Sequence, residues 1–126
     1  MPQTRRISDS EWLVMKVLWE ESPLTTTDVV DALEPTTKWK LKTVLTLLNR
    51  LVKKGAVGYE KKGRAYHYYP LVGEKECALV EHRSFLQRVY GGSMAPMLAH
   101  FIEDRKLSAA EIEELKQILD KKGPKR

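Results

Sequence analysis

Lys38, Lys40, Lys42, Arg50, Lys53, Lys54, Lys61, Lys62 and Arg64 put nine cations into a stretch that holds one acid, Glu60. The local balance is +8, whereas all 126 residues together reach +5. Such a cluster offers attraction to a polyanion, because each ammonium or guanidinium that meets a phosphate releases a condensed counterion. No bond-making chemistry is marked in the same way. His67, His82 and His100 fall in separate stretches, without the i, i+4 or C-x-x-C spacing that places ligands on one face. There is no glycine-rich phosphate loop and no nucleophile elbow, and Glu111, Glu113 and Glu114 read as charges at a helix N-terminus. The residues point to a nucleic-acid ligand and away from an enzyme, with no metal and no cofactor.

The cations need elements to position them. In KWKLKTVLTLLNRLVKKG a helix turns about 100° per residue, so Trp39, Lys42, Thr43, Thr46, Asn49, Arg50 and Lys53 fall within an arc of roughly 120°. Every polar member of that arc carries a hydrogen-bond donor. Leu41, Val44, Leu45, Leu47, Leu48, Leu51 and Val52 fall opposite, which predicts an amphipathic helix docked on a core through its leucines. Gly55 follows where a left-handed cap is expected.

Upstream, Ser8 and Glu11 have the spacing of a capping box, and Trp12, Met15, Leu18 and Trp19 recur at helical intervals as core residues before Pro23. Thr25 as N-cap, Asp28 in the first turn and Val29, Val30 and Leu33 as inward face predict a second, short helix that Pro35 stops. The few residues from Leu33 to the basic helix are the length of a helix-turn-helix turn. Downstream, Ala56 to Glu60 and Ala65 to Tyr69 flank Lys61, Lys62, Gly63 and Arg64, a hairpin with three cations at its tip. Helix, helix, basic helix and cationic hairpin describe a winged helix-turn-helix over residues 1–72.

Residues 73–126 hold ten basic and nine acidic side chains and lack that footprint. They predict three helices. The first runs from about Glu74 to Tyr90 and ends at Gly91 and Gly92; the second runs from Ser93 to about Arg105, with Pro96 in its first turn. The third is opened by a Ser108 to Glu111 capping box and closed by Gly123 and Pro124. So small a unit rarely supports its own core, yet Phe85, Leu86, Val89, Met94, Met97, Leu98, Phe101, Ile102, Leu107, Ile112, Leu115, Ile118 and Leu119 need cover. A second copy supplies it, and a dimer suits a reader of palindromic DNA; the competing arrangement folds these helices back onto the winged domain. The fold class is thus mainly α: a winged helix-turn-helix domain, 1–72, followed by a three-helix dimerisation region, 73–126. With 42% hydrophobic and 31% charged residues, no apolar run of membrane-span length, no signal-like stretch after the N-terminus and one cysteine, Cys77, the chain is expected in the reducing cytoplasm, without a disulfide or membrane binding of its own.

The runs ISDSEWLVMKVLW, TTTDVVDAL, WKLKTVLTLLNRLVKKGAVGYEKKGRAYHYYPLV and RSFLQRVYGGSMAPMLAHFIED closely resemble the BlaI/MecI family of penicillinase repressors, over roughly residues 7–120 and in both halves. The resemblance implies a homodimeric winged-helix repressor of double-stranded operator DNA that binds TACA/TGTA-type palindromes upstream of β-lactamase and sensor genes. It also implies relief by proteolysis, triggered by a membrane sensor metalloprotease acting on the dimerisation half. Carried over residue by residue, Lys42, Thr43 and Thr46 face the major groove, Arg50 and Lys53 meet the backbone, and Arg64 and Tyr66 belong to the wing. The DNA-binding set is Lys40, Lys42, Thr43, Thr46, Arg50, Lys53, Lys62, Arg64 and Tyr66. The dimerisation set is Phe85, Leu86, Val89, Met97, Leu98, Phe101, Ile102, Leu115 and Leu119. The cleaved bond maps between His100 and Phe101, where many members carry asparagine at the first position. Copper-responsive relatives carry paired cysteines near the C-terminus, which this chain lacks.

Two other classes compete: a winged-helix module that binds protein, and an architectural protein that binds any duplex. In the first, the basic helix face and the hairpin lysines are ordinary solvated surface. A protein-binding module has no need for a Lys/Thr/Arg face, and an architectural binder shows no operator preference.

Overall fold

A computed structural model describes residues 6–123. In chain order the elements are α1 (Asp9–Glu20), α2 (Thr26–Leu33), α3 (Leu41–Lys53), β1 (Val57–Lys62), β2 (Ala65–Pro70), α4 (Glu74–Tyr90), α5 (Met94–Asp104) and α6 (Ala109–Lys122). The chain divides into two compact units, with the division inside α4 between Ser84 and Phe85.

Local chemistry sets the ends of the first three helices. Ser8 donates its amide to Glu11 Oε1 at 2.9 Å and accepts the Glu11 amide on its hydroxyl at 3.2 Å, closing the expected capping box. Thr25 and Asp28 form the same reciprocal pair at 3.0 and 3.1 Å. The Thr25 amide, and then its hydroxyl, hold the Asp28 carboxyl below the ordinary range. At the other end of α3, Gly55 takes φ +80°, its amide bonds Val52 O and the next amide, Ala56, bonds Leu51 O. Those two bonds are a Schellman motif, which needs a residue without Cβ at that position.

Packing orients the helices. Val14, Met15 and Leu18 of α1, Val29 and Leu33 of α2, and Val44, Leu47, Leu48 and Leu51 of α3 form one core that Ile7, Ala56, Val57, Tyr68 and Cys77 complete. Each fully buried aliphatic side chain contributes roughly 1.5–3 kcal/mol, more than a cap at about 1 kcal/mol. Packing therefore decides the arrangement and the caps decide where each helix begins. Trp12 and Trp19 meet edge to face at 5.6 Å on the rim of this core, and the Trp19 indole N–H donates to Val72 O at 2.9 Å.

β1 and β2 pair antiparallel from Val57↔Pro70 to Lys62↔Ala65. The two-residue connection is Gly63-Arg64, with Gly63 at φ +64°. Leu24 bonds Tyr68 in both directions, at 3.0 and 2.7 Å, so the α1–α2 connection adds a third, one-residue strand to the hairpin. The ion pairs Lys16–Glu74 at 2.7 Å and Arg6–Glu81 at 3.1 Å tie the start of α4 to this unit.

Three expectations are corrected. Trp39 precedes α3 and lies half-buried against the core; it is not part of the helix's exposed arc. Leu41 and Leu45 are not on the docked face: they are 52% and 39% exposed. The reason is the width of the contact: α3 is fully covered only along the row Val44, Leu47, Leu48 and Leu51, with Val52 partly buried beside it. Lys54 leaves the cationic strip, since its ammonium turns inward to Glu11 Oε1 and donates to Arg6 O at 2.9 Å.

The second unit comprises the last turns of α4 with α5 and α6. Phe85 stacks on Phe101 at 6.3 Å, and Tyr90 meets the His100 ring at 5.5 Å while its hydroxyl lies 2.9 Å from His100 Nδ1. α4 ends at Gly91 and Gly92, and α6 starts with the expected Ser108–Glu111 capping box, its bonds 3.0 and 3.1 Å long. Among its described residues no side chain is fully buried. Val89, Phe101, Ile102, Leu115 and Leu119 are exposed; Phe85, Leu86, Met97 and Leu98 are half-buried. α5 and α6 enclose a groove of about 720 Å³ whose apolar lining includes Leu98, Phe101, Ile102, Leu107, Leu115 and Leu119. Among the described residues no helix is long and apolar enough to cross a membrane.

Candidate nucleic-acid interface

α3 carries the site because its two faces differ so completely. With one row anchored in the core, Lys42, Thr43, Thr46, Asn49, Arg50 and Lys53 all remain exposed. The turn from α2 presents the helix start: the Thr36 and Thr37 amides bond Leu33 O at 2.9 and 2.8 Å, and the Trp39 amide reaches Thr37 Oγ1 at 3.4 Å. Lys40 is the N-cap in extended conformation and makes no side-chain cap bond, unlike Ser8 and Thr25. Its ammonium stays available beside the positive end of the helix dipole.

The hydroxyls differ in what they offer. Thr46 Oγ1 donates to Lys42 O at 3.0 Å, so its proton is engaged within the helix and its lone pairs and methyl group are what the exposed face retains there.

The hairpin supplies the second half. Lys61, Lys62, Gly63 and Arg64 are exposed at its tip, with Lys62 Nζ at 3.9 Å from Glu60, an exposed pair worth little. Tyr66, 44% exposed, meets Tyr59 edge to face at 5.2 Å, and Lys61 Nζ sits 5.8 Å above the Tyr66 ring. Between hairpin and helix lies a notch of about 510 Å³ lined by Asn49, Val52, Lys53, Tyr59, Tyr66 and Tyr68. It brings Lys53 and Tyr66 together and adds two residues absent from the expected set, Asn49 and Tyr59. Asn49 already stood on the exposed arc; Tyr59 has no signal short of the strand register, which pairs it with Tyr68.

Lys40, Lys42, Thr43, Thr46, Arg50 and Lys53 thus share one helix and its start, while Lys62, Arg64 and Tyr66 share the hairpin. His100 and Phe101 lie exposed on α5 in the other unit. Among the described residues no group of three His, Cys, Asp or Glu side chains is placed to hold a metal ion. A continuous exposed face of ammonium, guanidinium and hydroxyl groups can bind phosphates and present hydrogen-bonding groups to base edges; it contains no nucleophile–base pair.

The penicillinase repressor family profile matches residues 7–121. The penicillinase repressor of Bacillus licheniformis is 42% identical over 120 residues, covering 95% of this chain and 94% of its own length. The methicillin resistance regulatory protein MecI of Staphylococcus aureus strain N315 is 34% identical over 95% of this chain and 98% of its own. The solution structure of the DNA-binding domain of the repressor BlaI superposes with a TM-score of 0.54 at 42% identity, over 60% of this chain and 93% of that one. The monomeric form of B. licheniformis BlaI in complex with the blaP half-operator gives a TM-score of 0.51 over the same shares. Escherichia coli MarR, 19% identical, has a TM-score of 0.52 over 94% of this chain and 79% of its own, a likeness of fold alone.

Proposed function

The chain belongs to the penicillinase repressor family, and we propose that it is a homodimeric transcriptional repressor whose α3 enters the major groove of a TACA/TGTA-type palindromic operator. Its expected targets are β-lactamase or related cell-wall stress genes. The observation that carries this reading is the split of α3, which buries Val44, Leu47, Leu48 and Leu51 and keeps Lys42, Thr43, Thr46, Arg50 and Lys53 exposed beside a cationic hairpin. Lys42, Thr43 and Thr46 read base edges from the N-terminal part of the helix, whereas Arg50, Lys53, Lys62, Arg64 and, through its amino-terminal position, Lys40 meet phosphates. Tyr66 holds the hairpin against the sugar-phosphate backbone.

Dimerisation uses Phe85, Leu86, Val89, Met97, Leu98, Phe101, Ile102, Leu115 and Leu119. In support, the second unit leaves most of these side chains exposed or half-exposed in a single chain. Repression is lifted by cleavage between His100 and Phe101, set off by a membrane sensor metalloprotease. Both residues are exposed on α5, where a protease reaches them once the helix opens.

The deciding experiment is fluorescence anisotropy of the full chain on a duplex carrying the palindrome and on a scrambled duplex, across a salt series. A repressor prefers the palindrome by about 10³-fold or more. Equal affinity for both duplexes is the behaviour of an architectural binder, and absence of binding to either is that of a protein-binding module; both outcomes refute the proposal.

A further inference from the structure

We propose that Leu41 and Leu45 read thymine methyl groups in the major groove, a specificity element that rests on the reading of α3 as the recognition helix. The two leucines are 52% and 39% exposed, although the helix they sit on is anchored through four other aliphatic residues at 4% exposure or less. Their position explains what they face. Leu45 is three residues after Lys42 and four before Asn49, so its side chain adjoins the exposed polar row on the helix surface. Leu41 lies one turn earlier, as the first residue of α3. The N-terminal part of a recognition helix is the part that approaches base edges.

An apolar pair that flanks Lys42 and Asn49 on one side of the exposed row has one matching feature on the base edges of duplex DNA. Phosphates, sugars and most base-edge atoms of the major groove are polar, and the C5 methyl of thymine is its apolar group. The neighbouring cations complement the flanking phosphates, which seats the helix with its leucines over base edges. The preference is chemical. Cytosine in the same place has only hydrogen at C5 and, on the neighbouring carbon, an N4 amino donor for which leucine has no acceptor, whereas thymine offers a C5 methyl that leucine removes from water.

The test uses a labelled duplex carrying the TACA/TGTA palindrome and a second in which every thymine is replaced by deoxyuridine, which lacks only the methyl group. The parent chain binds the deoxyuridine duplex about four-fold more weakly for each methyl buried. Leu45→Ala and Leu41→Ala reduce that ratio toward one, Leu45→Met keeps it because the apolar contact survives, and Lys53→Ala weakens both duplexes alike with the ratio unchanged. Circular dichroism melting of each variant establishes that it is folded. A ratio of one in the parent, or the same ratio in the parent and both alanine variants, overturns the proposal while leaving operator binding intact. Failure of the parent to prefer the palindrome over a scrambled duplex instead overturns the repressor reading, and the methyl contact with it.

Discussion

Lys54 sits in the middle of the cationic sequence strip, yet replacing it is expected to change stability and leave the electrostatics of DNA binding unchanged. Its ammonium contacts the Glu11 carboxylate, which is 1% exposed, and the Arg6 carbonyl at 2.9 Å. Lys54→Met keeps the aliphatic stem and leaves that carboxylate with the Ser8 amide alone. Removing one partner of a buried pair costs about 3–5 kcal/mol. The Lys54 side chain is 24% exposed, so water partly replaces it and about 2–3 kcal/mol remains. At roughly 4–8 °C per kcal/mol for a small domain, the midpoint of thermal unfolding falls by about 10 °C or more. Lys53→Ala, one residue earlier and exposed, does the reverse: the midpoint hardly moves, and the slope of log affinity against log salt drops by about 0.9. The pH dependence has a defined sign. Burial pushes the Glu11 carboxyl up, but the hydrogen bonds from Lys54 and Ser8 together outweigh it and hold it below its ordinary value. Stability from this group is therefore complete above the ordinary glutamate value of about 4.3 and is lost as pH falls through the lower folded value. Glu11→Gln, which keeps an N3 residue able to cap, flattens that acid limb. Scanning calorimetry and salt-dependent anisotropy on the two lysine variants decide the matter. A Lys54→Met chain with an unchanged midpoint and a shallower salt slope refutes the inward assignment.

Two further outcomes are expected. Lys42→Ala and Thr46→Ala change which operator positions tolerate mismatch, at about 1–3 kcal/mol each, whereas Lys62→Ala weakens all duplexes alike and lowers the salt slope by about one; competition binding against single-mismatch operators separates them. Phe101→Ala, which removes a ring stacked on Phe85 but 50% exposed in one chain, loses about half of the usual 3–5 kcal/mol within the chain and the rest in the proposed dimer. Sedimentation then detects more monomer, and a protease site engineered after His100 releases the operator; a cut chain that stays dimeric and bound shows that induction acts elsewhere.

The segments whose structure was legible are those decided within about four residues. Ser8 with Glu11, Ser108 with Glu111, Gly55 after two lysines, Gly63 between two β-prone runs and the stops at Pro23 and Pro35 each satisfy or remove specific backbone groups nearby. Such chemistry is the same wherever the segment is placed, so all six helices and the hairpin could be located from residue order. The candidate site was legible to the extent that one buried row of α3 implies one exposed row. Its edges were not. Periodicity assigned Leu41 and Leu45 to the core, but how wide a stripe is covered depends on how closely the neighbouring elements approach, and they bury four residues fully. Lys54 counted as a surface cation until its contact 43 residues away with Glu11 drew it inward. Tyr59 came to line the notch beside α3 through strand register, and Leu24 joined the hairpin through a pairing with Tyr68 that no local signal marks. These features depend on contacts between residues far apart in the chain, and those exist only once the core has chosen its packing.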